Sequence, residues 1–326
     1  MTGRVRTVFL GTGAFAVPIL AALADQPTVD LLAVVTAPQR AGSRGRPTDP
    51  PVVAWATEYG LPMLRLDRLR ASDAVAQVAQ LRPDLLVLAD YGQIVPASLL
   101  DVPAHGALNV HPSLLPRHRG ATPIPAAILA GDAETGVTLM RMDAGLDSGP
   151  VVAQSRVALS GSETAPQLEA QLVDLGARLL VATLPHWLAG EIEPVAQEQR
   201  DATMTRPLRR EDGRLDPSKT AAELERQVRA YQPWPGSFVE TSAGRLTCWS
   251  AHVGEARSQD VAVGTLARTL DAGLAIAASD ALLELDDIQP AGGRRMSAAE
   301  LLRGHPALAG SSVIVPAQSG SQSAAC

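Results

Sequence analysis

A run of six apolar-rich positions, 5–10, ends in Gly11-Thr12-Gly13, which predicts a buried strand entering a tight turn. Residues 15–23 then carry helical spacing and stop near Asp25-Gln26-Pro27. The alternation continues: apolar runs at 31–36, 63–66, 85–88 and 107–110 predict strands. Segments 52–59 and 72–81 predict helices between them, and 37–51 reads as a loop rich in Pro, Gly and Arg. Strands alternating with helices imply βαβ units and a mostly parallel sheet. Two further strands are predicted at 137–142 and 151–157, joined by a polar turn, and then one long helix over 165–188.

The texture changes after Gly190. Residues 191–207 lack periodicity and carry Pro194 and Pro207, as an interdomain linker would. One helix is predicted at 221–230, followed by short β-like runs at 238–241, 245–251, 264–270, 274–278 and 281–288. Strands at that spacing predict a small barrel. The Gly-, Ser- and Ala-rich stretch 309–326 is expected to be a disordered tail.

Composition adds limits. A chain of 326 residues suggests two domains. Hydrophobic residues make up 46% but aromatics only 3%, so the cores must be built from Ala, Val and Leu fitted by shape. The two cysteines, Cys248 and Cys326, suit neither a disulfide framework nor a metal-ligand spacing, so a reducing, cytoplasmic setting is expected. The N-terminus has no signal-peptide apolar region, and no run of 18 apolar residues predicts a membrane span. A net charge of −6 argues against a globally basic nucleic-acid binder and leaves room for a local basic patch.

The candidate chemistry lies in Leu108-Asn109-Val110-His111-Pro112-Ser113-Leu114-Leu115-Pro116, continuing to Arg119-Gly120. Asn109 and His111 alternate along a strand end, so both side chains point to one face. Ligands of open α/β sheets bind at the carboxyl ends of strands, and Pro112 holds His111 extended. Downstream, Asp143-Ala144-Gly145-Leu146-Asp147-Ser148-Gly149 forms a polar turn that can return a carboxylate to the same cleft. Asn donates to a developing oxyanion. His can polarise a carbonyl, and Asp can take a proton from an attacking amine, directly or through water. With no Ser or Cys nucleophile beside them, the nucleophile is expected to come with the substrate, as in acyl transfer to an amine. Spacing alone leaves a structural role open for Asn109 and His111, and a turn-forming role for Asp143 and Asp147.

The first of these strings, together with Gly136-Val137-Thr138 leading into residues 142–149, resembles the signature of the folate-dependent formyltransferases. The resemblance implies catalytic roles for Asn109, His111 and Asp147. It also implies a site for 10-formyltetrahydrofolate, as co-substrate and with no metal, formed by Leu88, Ala89, Asp90, Tyr91 and Gly92, by Ser113, Leu114, Leu115 and Pro116, and by Asp143, Ala144, Gly145 and Leu146. Four further strings resemble the tRNA-acting branch of that family: residues 11–16, 40–46, 230–236 and 288–297. Together they imply an α/β fold, with a Rossmann-like formyltransferase domain over 1–190 whose sheet is mostly parallel. A linker at 191–207 and a C-terminal small OB-like β-barrel over 208–308 that binds tRNA complete the expected architecture. The implied reaction moves a formyl group to the α-amino group of methionine on initiator tRNA; formyl transfer to a small amine, such as a sugar nucleotide or glycinamide ribonucleotide, is the alternative.

The arginines expected to meet tRNA phosphates are Arg40, Arg44 and Arg46 in the Gly-rich loop and Arg206, Arg209 and Arg210 near the linker. Arg214, Arg294, Arg295 and Arg303 form further basic groups. The expected partners are initiator methionyl-tRNA and folate, with no membrane, and a monomer is expected. Three positions depart from the family pattern: His118 and Pro217 where Trp is common, and Asp90 where Ala is usual.

Gly11-x-Gly13-x-x-Ala16 also fits a dinucleotide-binding turn. The acidic residue such a site needs at the end of the second strand is replaced by Thr36. His105, His111 and His118 fit no usual metal-ligand spacing.

Overall fold

The computed structural model describes residues 3–41 and 47–314, which leaves Arg44 and Arg46 of the basic loop outside the described residues. The chain divides into two units. The first comprises Met1–Ala127, Asp132–Gly161 and Gln167–Pro207; the second comprises Ile128–Gly131, Ser162–Pro166 and Leu208–Cys326.

The first unit is built on a seven-stranded sheet. Its strands are β1 (Val5–Gly11), β2 (Val29–Thr36), β3 (Met63–Arg65), β4 (Leu85–Ala89), β5 (Ala107–His111), β6 (Glu134–Arg141) and β7 (Val151–Ala158). They lie in the order β7-β6-β5-β4-β1-β2-β3. From β3 to β5 every pairing is parallel; β6 and β7 extend that sheet antiparallel. Parallel strands covered on both faces read as continuous apolar runs, and every residue of β4 is buried. The helices are α1 (Ala16–Ala24), α2 (Pro51–Glu58), α3 (Ser72–Gln80), the single turn α4 (Ala97–Leu100), α5 (Pro123–Ala130) and α6 (Ala165–Leu188). Helix α5 escapes a pattern reading because Pro123 and Pro125 open it. Proline is tolerated there because N–H groups in a first turn have no intrahelical partner.

Helix α6 approaches the sheet closely at one point. A Cβ placed on Gly176 would lie 2.9 Å from Val110 Cγ1, 3.3 Å from Ile19 Cδ1 and 3.4 Å from Val137 Cγ1. Glycine therefore lets the helix sit directly behind the strand that carries Asn109 and His111.

In the second unit, β8 (Ser237–Thr241), β9 (Gly244–Ala256), β10 (Leu266–Arg268), β11 (Leu274–Ala277), β12 (Ala281–Pro290) and β13 (Met296–Ser297) form an antiparallel sheet. The order is β8-β9-β12-β11-β10, with β13 on β12. Three register shifts between β9 and β12 bend these long strands, and the sheet curls as a half-barrel of the small-barrel kind. Helix α7 (Ala221–Ala230) starts at a capping box: Thr220 Oγ1 accepts from the Glu223 amide at 3.2 Å, and the Glu223 carboxylate accepts from the Thr220 amide at 2.9 Å. A short helix, α8 (Ala298–Gly304), follows β13. Leu224, Leu246, Leu266, Ile276, Leu283 and Ile288 fill the core with aliphatic side chains. Cys248 is buried among them, and burial pushes its thiol up to about 12.

Residues 191–207 group with the first unit, where Val195 pairs with Val151 and Met204–Thr205 pairs with Arg119–Gly120. In the stretch from 309 the amides of Gly310, Val313 and Ile314 donate to Leu266, Gly264 and Glu240, and positions 315–326 of the expected tail lie outside the described residues. No helix among the described residues is long and apolar enough to cross a membrane.

Replacing Gly176 by Val should lower stability by about 1–3 kcal/mol through overpacking, read as a lower denaturant midpoint. Gly176→Ala should cost less, because gained helix propensity of about 0.5–1 kcal/mol offsets the single methyl. A Val variant as stable as the parent would mean that α6 does not sit this close.

Candidate active site

Strand β5 delivers Asn109 and His111 to one face at its carboxyl end, the former half-buried and the latter buried. Asp147 meets them from the turn between β6 and β7. Its φ of 49° is left-handed, a conformation Asp tolerates better than most residues. This turns the carboxylate back toward the sheet. Asp147 Oδ2 accepts from the Gly120 amide at 2.8 Å. Asn109 Nδ2 reaches Asp147 Oδ1 at 3.5 Å, and His111 Nδ1 stands 3.7 Å from Asp147 Oδ2. Asp143, in contrast, spends its carboxylate on the Gly145 amide and the Ser148 hydroxyl, both at 2.9 Å, as a turn former.

The tautomer of His111 follows from its other nitrogen. Nε2 lies 3.0 Å from the backbone carbonyl of His118. A carbonyl only accepts, so Nε2 carries a proton. Nδ1 then faces Asp147 and the cleft, where it can receive a proton.

Residues that the sequence reading did not single out hold the acidic turn. Gln197 Nε2 donates to the backbone oxygens of Asp147 at 2.9 Å and Gly149 at 2.6 Å. Its Oε1 accepts from Arg119 Nε and Nη2, and Arg119 Nη1 reaches Gln199. Arg119 is 5% exposed, so a guanidinium is buried directly behind the site, held by amide oxygens. Gly120 leaves room for the paired segment Met204–Thr205, since a Cβ there would lie 2.3 Å from the Thr205 carbonyl. No sequence signal marks Gln197, because its contacts depend on the chain returning 48–50 residues later.

The expected folate segments are placed as follows. Leu88 and Ala89 end β4 in the core, and Tyr91 packs into the cluster with Leu66 and Leu69. The Tyr91 hydroxyl is buried with no hydrogen-bond partner among the described residues, and burial raises its pKa. Gly92 follows with a φ of 74°. Ser113 and Leu115 brace the loop after β5: Ser113 Oγ donates to Arg117 O at 2.6 Å, and the Leu115 amide donates to Thr138 Oγ1 at 3.0 Å. Leu114 and Pro116 beside them are half-buried. Ala144, Gly145 and Leu146 are exposed at the turn.

Asp90 organises the glycine-rich turn. Its carbonyl accepts from the amides of Thr12 at 3.0 Å and Gly13 at 3.2 Å. Its carboxylate lies against Gly13, where a Cβ would fall 1.6 Å from Oδ2. The residue is exposed as a whole, while its carboxylate packs against the Gly13 backbone. Desolvation of the carboxyl against this turn, with the Glu169 carboxylate second, pushes it up to about 6. A dinucleotide would bring its pyrophosphate to such a turn. The Asp90 carboxylate opposes that anion, and so the dinucleotide alternative fails on structure as well as on Thr36.

Of the arginines expected to meet tRNA, Arg206, Arg209 and Arg210 are exposed. Arg294 pairs with Glu300, and Arg295 with Asp287 at 2.6 Å, so these two are partly neutralised.

A parallel sheet whose strand end brings Asn109 and His111 beside the returned Asp147 carboxylate is the frame of a formyl-transferase-like fold, and the arrangement fits acyl transfer to an amine. The formyl transferase family profile matches residues 5–184, and that of its C-terminal domain matches 207–306. The methionyl-tRNA formyltransferase of Myxococcus xanthus is 44% identical over 96% of this chain and 99% of its own length. That of Roseiflexus castenholzii is 43% identical over 92% and 96%. The chain belongs to the methionyl-tRNA formyltransferase family. Two solved structures share the fold at 15% identity. An N-formyltransferase from Helicobacter canadensis has a TM-score of 0.62 over 86% of this chain and 99% of that one. HypX from Aquifex aeolicus has a TM-score of 0.60 over 92% of this chain, which spans about half (49%) of that protein's length.

The raised Asp90 carboxyl sets a pH dependence. Because its folded pKa of about 6 exceeds the ordinary value of 3.8, the fold binds its proton more tightly than the unfolded chain does. Asp90 therefore detracts from stability as pH rises from about 4 through 6. Asp90→Asn should match the parent at pH 4 and be the more stable at pH 7.5, measured as denaturant midpoints. Equal midpoints at both pH values would remove the shift.

Proposed function

We propose that this protein transfers the formyl group of 10-formyltetrahydrofolate to the α-amino group of methionine carried by initiator tRNA, in the cytoplasm. The observation that carries the chemistry is the convergence of Asn109, His111 and Asp147 at the carboxyl end of β5. The tRNA assignment is supported by relatives of that activity along nearly the whole chain, barrel included.

The methionyl amine attacks as the free base. Free α-amino groups titrate near roughly 8, so a useful fraction is neutral at working pH. As the nitrogen–carbon bond forms, Asn109 Nδ2 donates to the developing oxyanion. Asp147 accepts the amine proton, directly or through water. His111 Nδ1 faces that carboxylate, and its imidazolium form adds positive charge beside the oxyanion. Collapse of the intermediate breaks the bond to the folate nitrogen, and the proton held on the Asp147–His111 side passes to that leaving nitrogen.

The folate would be bordered by residues 88–92, 113–116 and 143–146. Arg40, Arg44, Arg46, Arg206, Arg209 and Arg210 would meet tRNA phosphates, giving salt-dependent affinity.

The test is formyl transfer from 10-formyltetrahydrofolate to methionyl initiator tRNA, with free methionine and glycinamide ribonucleotide as parallel acceptors. Transfer to the charged tRNA alone is expected. Transfer only to a small amine would keep the chemistry of Asn109, His111 and Asp147 and overturn the tRNA assignment.

A further inference from the structure

The loop after β5 contains a second histidine–carboxylate pair that the reaction itself does not require. His118 is 8% exposed and has a φ of 57°, in the left-handed region that favours glycine. Its ring Nε2 lies 2.8 Å from Asp132 Oδ2, and the Asp132 side chain is 6% exposed. The other Asp132 oxygen accepts from the Arg117 guanidinium. Asp132 is fixed in turn by the chain turn after α5, where its amide donates to Ala127 O at 3.1 Å. The His118 amide donates to Thr203 Oγ1 at 2.8 Å. The His118 carbonyl is the group that accepts from His111 Nε2 at 3.0 Å.

These contacts form one chain of orientation. Here the imidazole ties the strained backbone to a buried carboxylate, and the adjoining carbonyl then selects which nitrogen of the other histidine carries the proton. A carboxylate oxygen accepts, so the His118 ring donates to Asp132 from Nε2, beside the Arg117 guanidinium on the other oxygen.

We propose that His118, anchored by Asp132, is a positioning residue that locks His111 in its Nε2-protonated form and so keeps Nδ1 aimed at Asp147. The inference rests on the formyl-transfer reading for its effect on rate; its effect on His111 is independent of any substrate.

Two variants and two readouts test it. His118→Gly relieves the backbone and removes the anchor, whereas His118→Gln keeps an amide able to donate to Asp132. Nitrogen-15 spectra of the histidine rings report the His111 tautomer without turnover. The Nε2-protonated form should dominate in the parent and in His118→Gln, and a mixture should appear in His118→Gly. In formyl transfer, His118→Gly should lower kcat about 10- to 100-fold, as small misplacements of a reacting group do. KM for both substrates should stay within about twofold, and His118→Gln should recover most of kcat. Should the glycine variant fail to fold, Asp132→Ala breaks the same link without touching the backbone at 118, and the same tautomer mixture is expected. An unchanged His111 tautomer in the glycine variant, or in Asp132→Ala in its place, would overturn the proposal. So would a loss of kcat that His118→Gln does not restore. A parent without formyl transfer to any acceptor would sink the functional reading alone, since the spectra still decide the tautomer lock.

Discussion

The Asp147 carboxylate is the point to which the rest of the site is fitted. Its 2.8 Å bond from the Gly120 amide fixes one oxygen, and Asn109 and His111 face the two oxygens at 3.5 and 3.7 Å. The left-handed backbone at Asp147 costs on the order of 1–3 kcal/mol in isolation. Gln197 offsets it by bonding the Asp147 and Gly149 carbonyls, and Arg119 holds Gln197. The 3.5 and 3.7 Å separations are longer than good hydrogen bonds. They leave the carboxylate free to accept a proton, which a fully satisfied carboxylate would do poorly.

Sheet construction makes this possible. Strand β5 lies between β4 and β6, so its end is rigid, and Gly176 lets α6 press directly behind it. On the neighbouring β4, the chain leaves through Asp90, whose carbonyl takes two amides of the glycine-rich turn. The same residue that shapes this turn lays a carboxylate across it. A turn that resembles a dinucleotide site in sequence is therefore electrostatically unsuited to a pyrophosphate.

Much of the sheet was legible in the chain, because buried parallel strands impose continuous apolar runs: β4 at Leu85–Ala89 is the plainest case. Asn109 and His111 were legible as a same-face pair through strand alternation. Asp147 was not separable from Asp143 by spacing. Only the fold shows that Asp143 spends its oxygens inside its own turn while Asp147 points inward. Gln197 was hidden because its stretch has no periodicity and gains its role from long-range contacts. Helix α5 was hidden by prolines that a first turn tolerates, and the first residues after Ala309 by a composition that suggests disorder yet pairs with the barrel.

Whether Asn109 and Asp147 act as one unit is the most direct question to put to this account. The measurement is kcat for Asn109→Ala, Asp147→Ala and the double variant under saturating substrates. Asn109→Ala alone should lose roughly 10²–10³ in rate, as removal of one oxyanion donor does. If the residues serve a single transition state, the double variant should be about as slow as the slower single variant. Losses that multiply would mean that the two residues act independently, and the site described around Asp147 would not be a catalytic unit.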